Sequence, residues 1–206
     1  KLTEILYYKV IIMEIKEISE YVKARLDEKR YSHTKRVVKK AKQLAKLYNA
    51  PIDKVKIGAY LHDIAKFYKV EDMAELVGDK YPEVNREVYR NGQILHGFAA
   101  AEIAERELGI EDTEILDAIR YHTVGKENMS LTAKIVYLAD AIEDAREWFG
   151  VVKARKLAEK NIDTAIIYEL DKKIEYLIKK ASLIHPNTLA FRNDLLTKKK
   201  KEREKI

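Results

Sequence analysis

This chain's reactive side chains are few: five histidines, a set of carboxylates and no cysteine in 206 residues. The absence of cysteine removes disulfides and thiol chemistry, so a metal ion here would have only imidazole and carboxylate ligands, which suit iron, manganese, cobalt or zinc. The stretch AYLHDIAK (Ala59–Lys66) sets His62 and Asp63 side by side in an apolar segment. An unpaired buried carboxylate is costly, and pairing or metal binding is the usual relief. Four histidines, His33, His62, His96 and His122, fall at ends or junctions of apolar-periodic segments, and Asp140 lies inside IVYLADAIED. Any one of these alone reads as an ordinary core or surface group. The ordered set on separate segments reads as ligands converging on one cavity.

The elements that must position these groups are helices. Only seven Gly and three Pro occur, and they fall at breaks between apolar-periodic stretches. The spacing predicts helices over residues 31–48, 52–65, 98–108, 112–121, 131–143, 151–160, 163–181 and 187–196. Ser130 reads as the N-cap of the fifth. Residues 67–96 are the least regular, and their KYPEVNREVYRNG stretch, residues 80–92, reads as a surface loop or lid. No alternating strand pattern, repeat or low-complexity linker is present. The expected fold is all-α, a single irregular helical bundle. The expected organisation is an N-terminal extension over residues 1–12, with Met13 as a natural start, a domain over 13–196 and a basic tail over 197–206.

Composition narrows the partners. Hydrophobic residues make up 47% and charged residues 36%, and the net charge is +6. Much of that excess sits in the last eleven residues, which read as a solvated tail, so nucleic acid is not an expected partner. No apolar run is long enough to span a bilayer, and the N-terminal stretch lacks a signal peptide's apolar run and cleavage site. A cytoplasmic protein without a membrane partner is expected, and a homodimer through an apolar helix face is compatible.

Five blocks carry a family likeness: ARLDEKRYSHTKRV (Ala24–Val37), AYLHDIAK, ILHGFAAAEIA (Ile94–Ala104), AIRYHTVGKENMSLTAKIVYLADAIEDAR (Ala118–Arg146) and IHPNTLAFRNDLL (Ile184–Leu196). The chain resembles the HD-domain phosphohydrolase superfamily and, more narrowly, the YqeK family of symmetrical dinucleoside-tetraphosphate hydrolases. Asp144-Ala145-Arg146 stands where that resemblance leads one to expect Pro-Gly-Arg.

The resemblance implies an HD-type bundle binding one or two divalent ions, iron first among them. His33, His62, Asp63 and Asp140 would hold one ion. His96 and His122 would hold a second, with Asp63 bridging. Asp63, Lys66 and Asp140 would be catalytic, with a metal-activated water attacking phosphorus in line. Substrate would touch His33, His96, His122, Thr123, Asp140 and Arg146. The segment His185, Pro186, Asn187, Thr188, Leu189, Ala190 would bind a nucleoside at a helix N-terminus. Arg120 is a weaker candidate phosphate ligand, and Arg36 reads as a supporting or surface group. Tyr121 and Phe98 read as core aromatics, with base stacking the alternative. The implied reaction cleaves diadenosine tetraphosphate to two ADP. An HD-type phosphatase or phosphodiesterase acting on another nucleotide stays open, as does a non-catalytic nucleotide sensor.

Overall fold

The computed structural model describes residues 15–81, 84 and 91–204. The expected extension over residues 1–12 lies outside them. The described residues are helical and contain no strand. Helix α1 covers residues 15–25, α2 Glu28–Leu47, α3 Ile52–Leu61, α4 Val70–Val77, α5 Gly92–Leu108 and α6 Thr113–Arg120. Then come α7 Leu131–Ile142, α8 Val151–Ala158, α9 Ile162–Lys179 and α10 Pro186–Arg203. None of the helices described is long and apolar enough to cross a membrane.

Capping sets most of the helix starts. Asp27, Asn91, Asp112, Ser130 and Asn161 each accept a backbone N–H of the first turn with a side-chain oxygen. Along α2 the buried positions are His33, Thr34, Val37, Val38, Ala41, Leu44 and Ala45, a three-and-four spacing that defines one inward face. His33 therefore sits in the second turn of α2 on its core-facing side.

Two apolar clusters form the interior. One joins the inward faces of α2, α3, α7, α8, α9 and α10, with Tyr137 and Phe191 as its largest fully buried rings. The other joins α1, α4, α5 and α6 around Leu95, Phe98 and Ile103. Helix α3 belongs to both, through Val55 and Ala59 on one side and Ile57 and Leu61 on the other. Fully burying a side chain such as Leu61 contributes about 2 kcal/mol, so this helix end is firmly held.

Several expectations are corrected here. Residues 67–96 are more regular than expected, because they contain α4 and the first turn of α5. Helix α4 buries Met73 and Val77 behind an acidic first turn of Glu71 and Asp72. Asn91-Gly92 looks like turn chemistry, yet Asn91 caps α5 and His96 lies within that helix. The second predicted helix ends at Leu61, short of residue 65. Beyond it Ile64 N–H donates to Leu61 O, Lys66 N–H to Asp63 O and Tyr68 N–H to Ala65 O, a run of tighter three-residue turns. At the C-terminus α10 continues past residue 196 to Arg203.

Candidate metal centre

The four imidazoles are aimed by a shared device. His62 Nδ1 donates to Ala59 O at 2.8 Å, His96 Nδ1 to Gly92 O at 2.8 Å and His122 Nδ1 to Ile119 O at 2.7 Å. His33 Nδ1 faces Glu143 Oε1 at 3.2 Å; a carboxylate has no proton to give, so the ring donates. With each Nδ1 protonated, all four rings present an Nε2 lone pair to the centre. This is the arrangement by which outer hydrogen bonds orient metal-binding histidines.

Asp63 stands between the rings and is 3% exposed. Its Oδ2 lies 3.3 Å from His62 Nε2 and 3.8 Å from His33 Nε2. Its Oδ1 lies 3.2 Å from His96 Nε2 and 3.8 Å from His122 Nε2. Asp140 Oδ1 approaches His33 Nε2 at 3.0 Å and His62 Nε2 at 4.0 Å. The ligand atoms fall into three mutually close groups, within 4.8 Å of one another: His33–His62–Asp63, His62–His122–Asp140 and Asp63–His96–His122.

These residues fit a divalent ion. His33 Nε2 and His62 Nε2 are buried without an aligned hydrogen bond. His96 Nε2 and His122 Nε2 are only 2.9 Å apart. Lone pairs gathered this closely among carboxylates are satisfied by a cation in their midst.

The protonation tendencies of the carboxylates, His96 and His122 agree, while without an ion His62 tends the other way. Burial pushes the Asp63 carboxyl up, but the His62 ring beside it and the His96 hydrogen bond hold it well below the usual range. Asp140 is likewise held well below, burial being outweighed by the His33 ring and the Arg146 guanidinium. Burial pushes His122 well down, helped by the His96 and His62 rings, and it also lowers His96. His62 is raised, because Asp63 outweighs the burial that opposes it.

Basic groups ring the centre. Arg146 folds back from the turn after α7, giving Nε to Asp140 O at 2.8 Å and Nη2 to Asp140 Oδ1 at 2.6 Å. Arg30 Nη1 reaches Asp63 Oδ2 at 2.9 Å. Lys66 Nζ lies 3.9 Å from Asp63 Oδ1, 3.1 Å from Gln93 Oε1 and 3.2 Å from His96 Nε2, and burial lowers its pKa.

The centre opens into a cleft of about 1150 Å³, lined by Thr123, Asp140, Arg146, Trp148, His185 and Thr188 among others. Thr123 Oγ1 lies 3.1 Å from His122 Nε2.

Three comparisons with known proteins bear on this geometry. The HD domain model matches residues 30–145, more than half of the chain. The symmetrical bis(5'-nucleosyl)-tetraphosphatase of Halalkalibacterium halodurans is 42% identical over 181 residues, which is 88% of this chain and 96% of that protein. This chain belongs to the HD-domain family, among the symmetrical bis(5'-nucleosyl)-tetraphosphatases. The Bacillus subtilis protein of the same name is 37% identical over 90% of this chain and 99% of its own length. A crystal structure described as a predicted HD superfamily hydrolase involved in NAD metabolism, from Clostridium acetobutylicum, superposes with a TM-score of 0.82 at 36% identity, covering 89% of this chain and 97% of that one.

In this HD domain the residues expected to gather do so: His33, His62, Asp63, His96, His122, Asp140, Lys66 and Arg146 all lie at the centre. Of the late segment, His185 and Thr188 reach the cleft, while Pro186, Asn187, Leu189 and Ala190 do not line it. Thr188 Oγ1 donates to Val124 O at 3.1 Å, and His185 Nδ1 accepts the Asn187 N–H at 3.2 Å. Phe98 is core, packed edge-on against Tyr81 and Tyr121. Arg120 pairs with Asp117 and stacks over Tyr81, outside the cleft lining.

Two residues of the HD domain escaped the sequence reading. Glu143 is buried and accepts from His33, from Arg36 Nε at 2.7 Å and from Ala145 N–H at 2.7 Å. Arg36 is thus a support for Glu143. Arg30 was the other. Both follow a spacing rule that could have found them: Glu143 is three residues from Asp140, and Arg30 three from His33.

Proposed function

We propose that this protein hydrolyses dinucleoside tetraphosphates, diadenosine tetraphosphate foremost, at the central phosphate bridge to give two nucleoside diphosphates. The observation that carries this reading is Asp63, whose two oxygens turn toward different imidazole pairs. His33, His62, Asp63 and Asp140 would hold one divalent ion. His96 and His122 would hold another, with Asp63 shared. Such ions supply Lewis acidity at a phosphate oxygen and make water at the site more acidic. The imidazole and carboxylate donors suit iron, manganese, cobalt or zinc, and iron is the choice that the family resemblance implies.

The chain's own side chains would supply the rest. Arg146, 38% exposed at its side chain, faces the cleft and would engage phosphate oxygens while steadying Asp140. Lys66 would neutralise charge on the phosphoryl group opposite. Asp63 and Asp140 stay ionised in this setting and would orient the attacking water, whose proton passes to solvent. The water oxygen bonds to phosphorus, the bridging P–O bond breaks, and one ADP leaves with the bonding pair. His185 and Thr188 would contact the nucleoside retained on their side of the cleft. A cytoplasmic setting completes the proposal, and a homodimer through an apolar helix face is compatible with it.

Product analysis after chelation and metal add-back tests it. ADP as the sole product, lost on chelation, is expected. AMP with ATP, or free phosphate, would point to another HD-type nucleotide hydrolase. Nucleotide binding without turnover would point to a sensor. Asp63→Ala should cost more than about 100-fold in turnover, beyond the loss of an outer hydrogen bond, with helix content kept.

A further inference from the structure

The cleft runs beyond the imidazoles and phosphate-facing groups to a second, chemically different wall. Trp148 and Phe149 approach from the turn after α7, and Tyr176 from α9. Phe149 is 89% exposed and Tyr176 59%. An aromatic ring left in water forgoes about 2 kcal/mol of burial, and two of them rim one cleft. Trp148 is fixed in place, because its indole N–H donates to Ala141 O at 2.7 Å and its ring packs beside Tyr168. Lys179 lines the same wall and makes no hydrogen bond or ion pair among the described residues.

We propose that Phe149 and Tyr176 grip a purine base of the dinucleotide by stacking, with Trp148 as the fixed floor beside them. This inference rests on the function proposed above and adds the base subsite to it. Three features favour a nucleoside over another apolar occupant. The wall is continuous with Arg146, two residues before Trp148, so a base here sits on the same molecule as the phosphates at the centre. Lys179 adds a positive charge that suits a polyphosphate ester. Glu175, 53% exposed at its side chain, is paired with Lys172 Nζ at 2.8 Å and keeps further lone pairs on its carboxylate for a ribose hydroxyl or an exocyclic amine. Base–aromatic stacking is indifferent to base identity, so this subsite would add affinity and set reach, leaving base preference to the polar groups.

Both rings are exposed, so their removal leaves the fold intact. The test titrates metal-loaded protein with ADP and, separately, with inorganic tripolyphosphate. Binding is read by calorimetry and by Trp148, the chain's only tryptophan. In Phe149→Ala and Tyr176→Ala the dissociation constant for ADP should rise about tenfold each, and that for tripolyphosphate should stay put. Phe149→Tyr should restore ADP binding and Phe149→Leu should not. Unchanged ADP affinity in both alanine variants overturns the proposal, as does an equal loss for tripolyphosphate. The titration reads binding without turnover. An enzyme that splits the tetraphosphate off-centre would therefore overturn the proposed function while leaving the subsite still measurable.

Discussion

Glu143 holds His33 from behind: its Oε1 lies 3.2 Å from His33 Nδ1, and its Oε2 takes hydrogen bonds from Arg36 and from Ala145 N–H. This is the one imidazole at the centre whose orientation depends on another side chain. Glu143→Gln keeps the shape and an acceptor but removes the charge that makes His33 a stronger donor of its lone pair. Metal affinity, measured by competition with a chelator, should fall about 10- to 100-fold, with far-ultraviolet dichroism unchanged. Unaltered affinity would show that Glu143 only fills space.

Gly97 shows how closely α5, which carries His96, approaches the turn that carries His122. A Cβ there would come 2.7 Å from Arg120 O and 3.1 Å from His122 Nδ1. Gly97→Ala should therefore shift the turn carrying His122 and cost about 1–3 kcal/mol of stability, read by urea unfolding. Turnover should fall further than stability alone explains, since His122 Nδ1 is the atom that aims its ring. A variant as stable and active as wild type would contradict the packing described.

Loading with metal should stabilise the fold. A ligand bound only by the folded state at a hundred times its dissociation constant adds about 2.7 kcal/mol. For a chain of this size that raises the unfolding temperature by several degrees. Differential scanning with and without a chelator measures it. No shift would mean the imidazole cluster does not bind the ion added.

Asp144 gives the pH dependence with a definite sign. Hydrogen bonds from Lys39 at 2.9 Å and Lys40 lower its pKa from 3.8 to about 2. A carboxyl depressed by folding contributes stability above its unfolded pKa and loses it as pH falls through the folded one. Asp144 is 45% exposed at its side chain, so solvent screens the pair and the contribution stays below about 1 kcal/mol. Asp144→Asn should cost that much at pH 6, progressively less below pH 4, and less again in high salt.

The ligand set was legible because it consists of rare residue types in an ordered series. Imidazoles at His33, His62, His96 and His122 stand out in a chain with only five. Glu143 did not, because a glutamate near a helix end is ordinarily solvated, and only its burial beside His33 gives it a role. The α4 segment was hidden for another reason. It is a short helix whose apolar positions, Val70, Met73 and Val77, are diluted by charge, and its existence depends on packing against α5. The aromatic wall was hidden because Trp148 and Tyr176 lie 28 positions apart on different elements, a distance no periodicity spans.

Three of the rings at the centre take their direction from carbonyls three or four residues back in their own turns. Their aim is thus set within each turn by its own backbone, with no contact from a distant segment needed to point the ring. Sequences that diverge widely elsewhere can inherit those directions unchanged, so long as the three short turns survive.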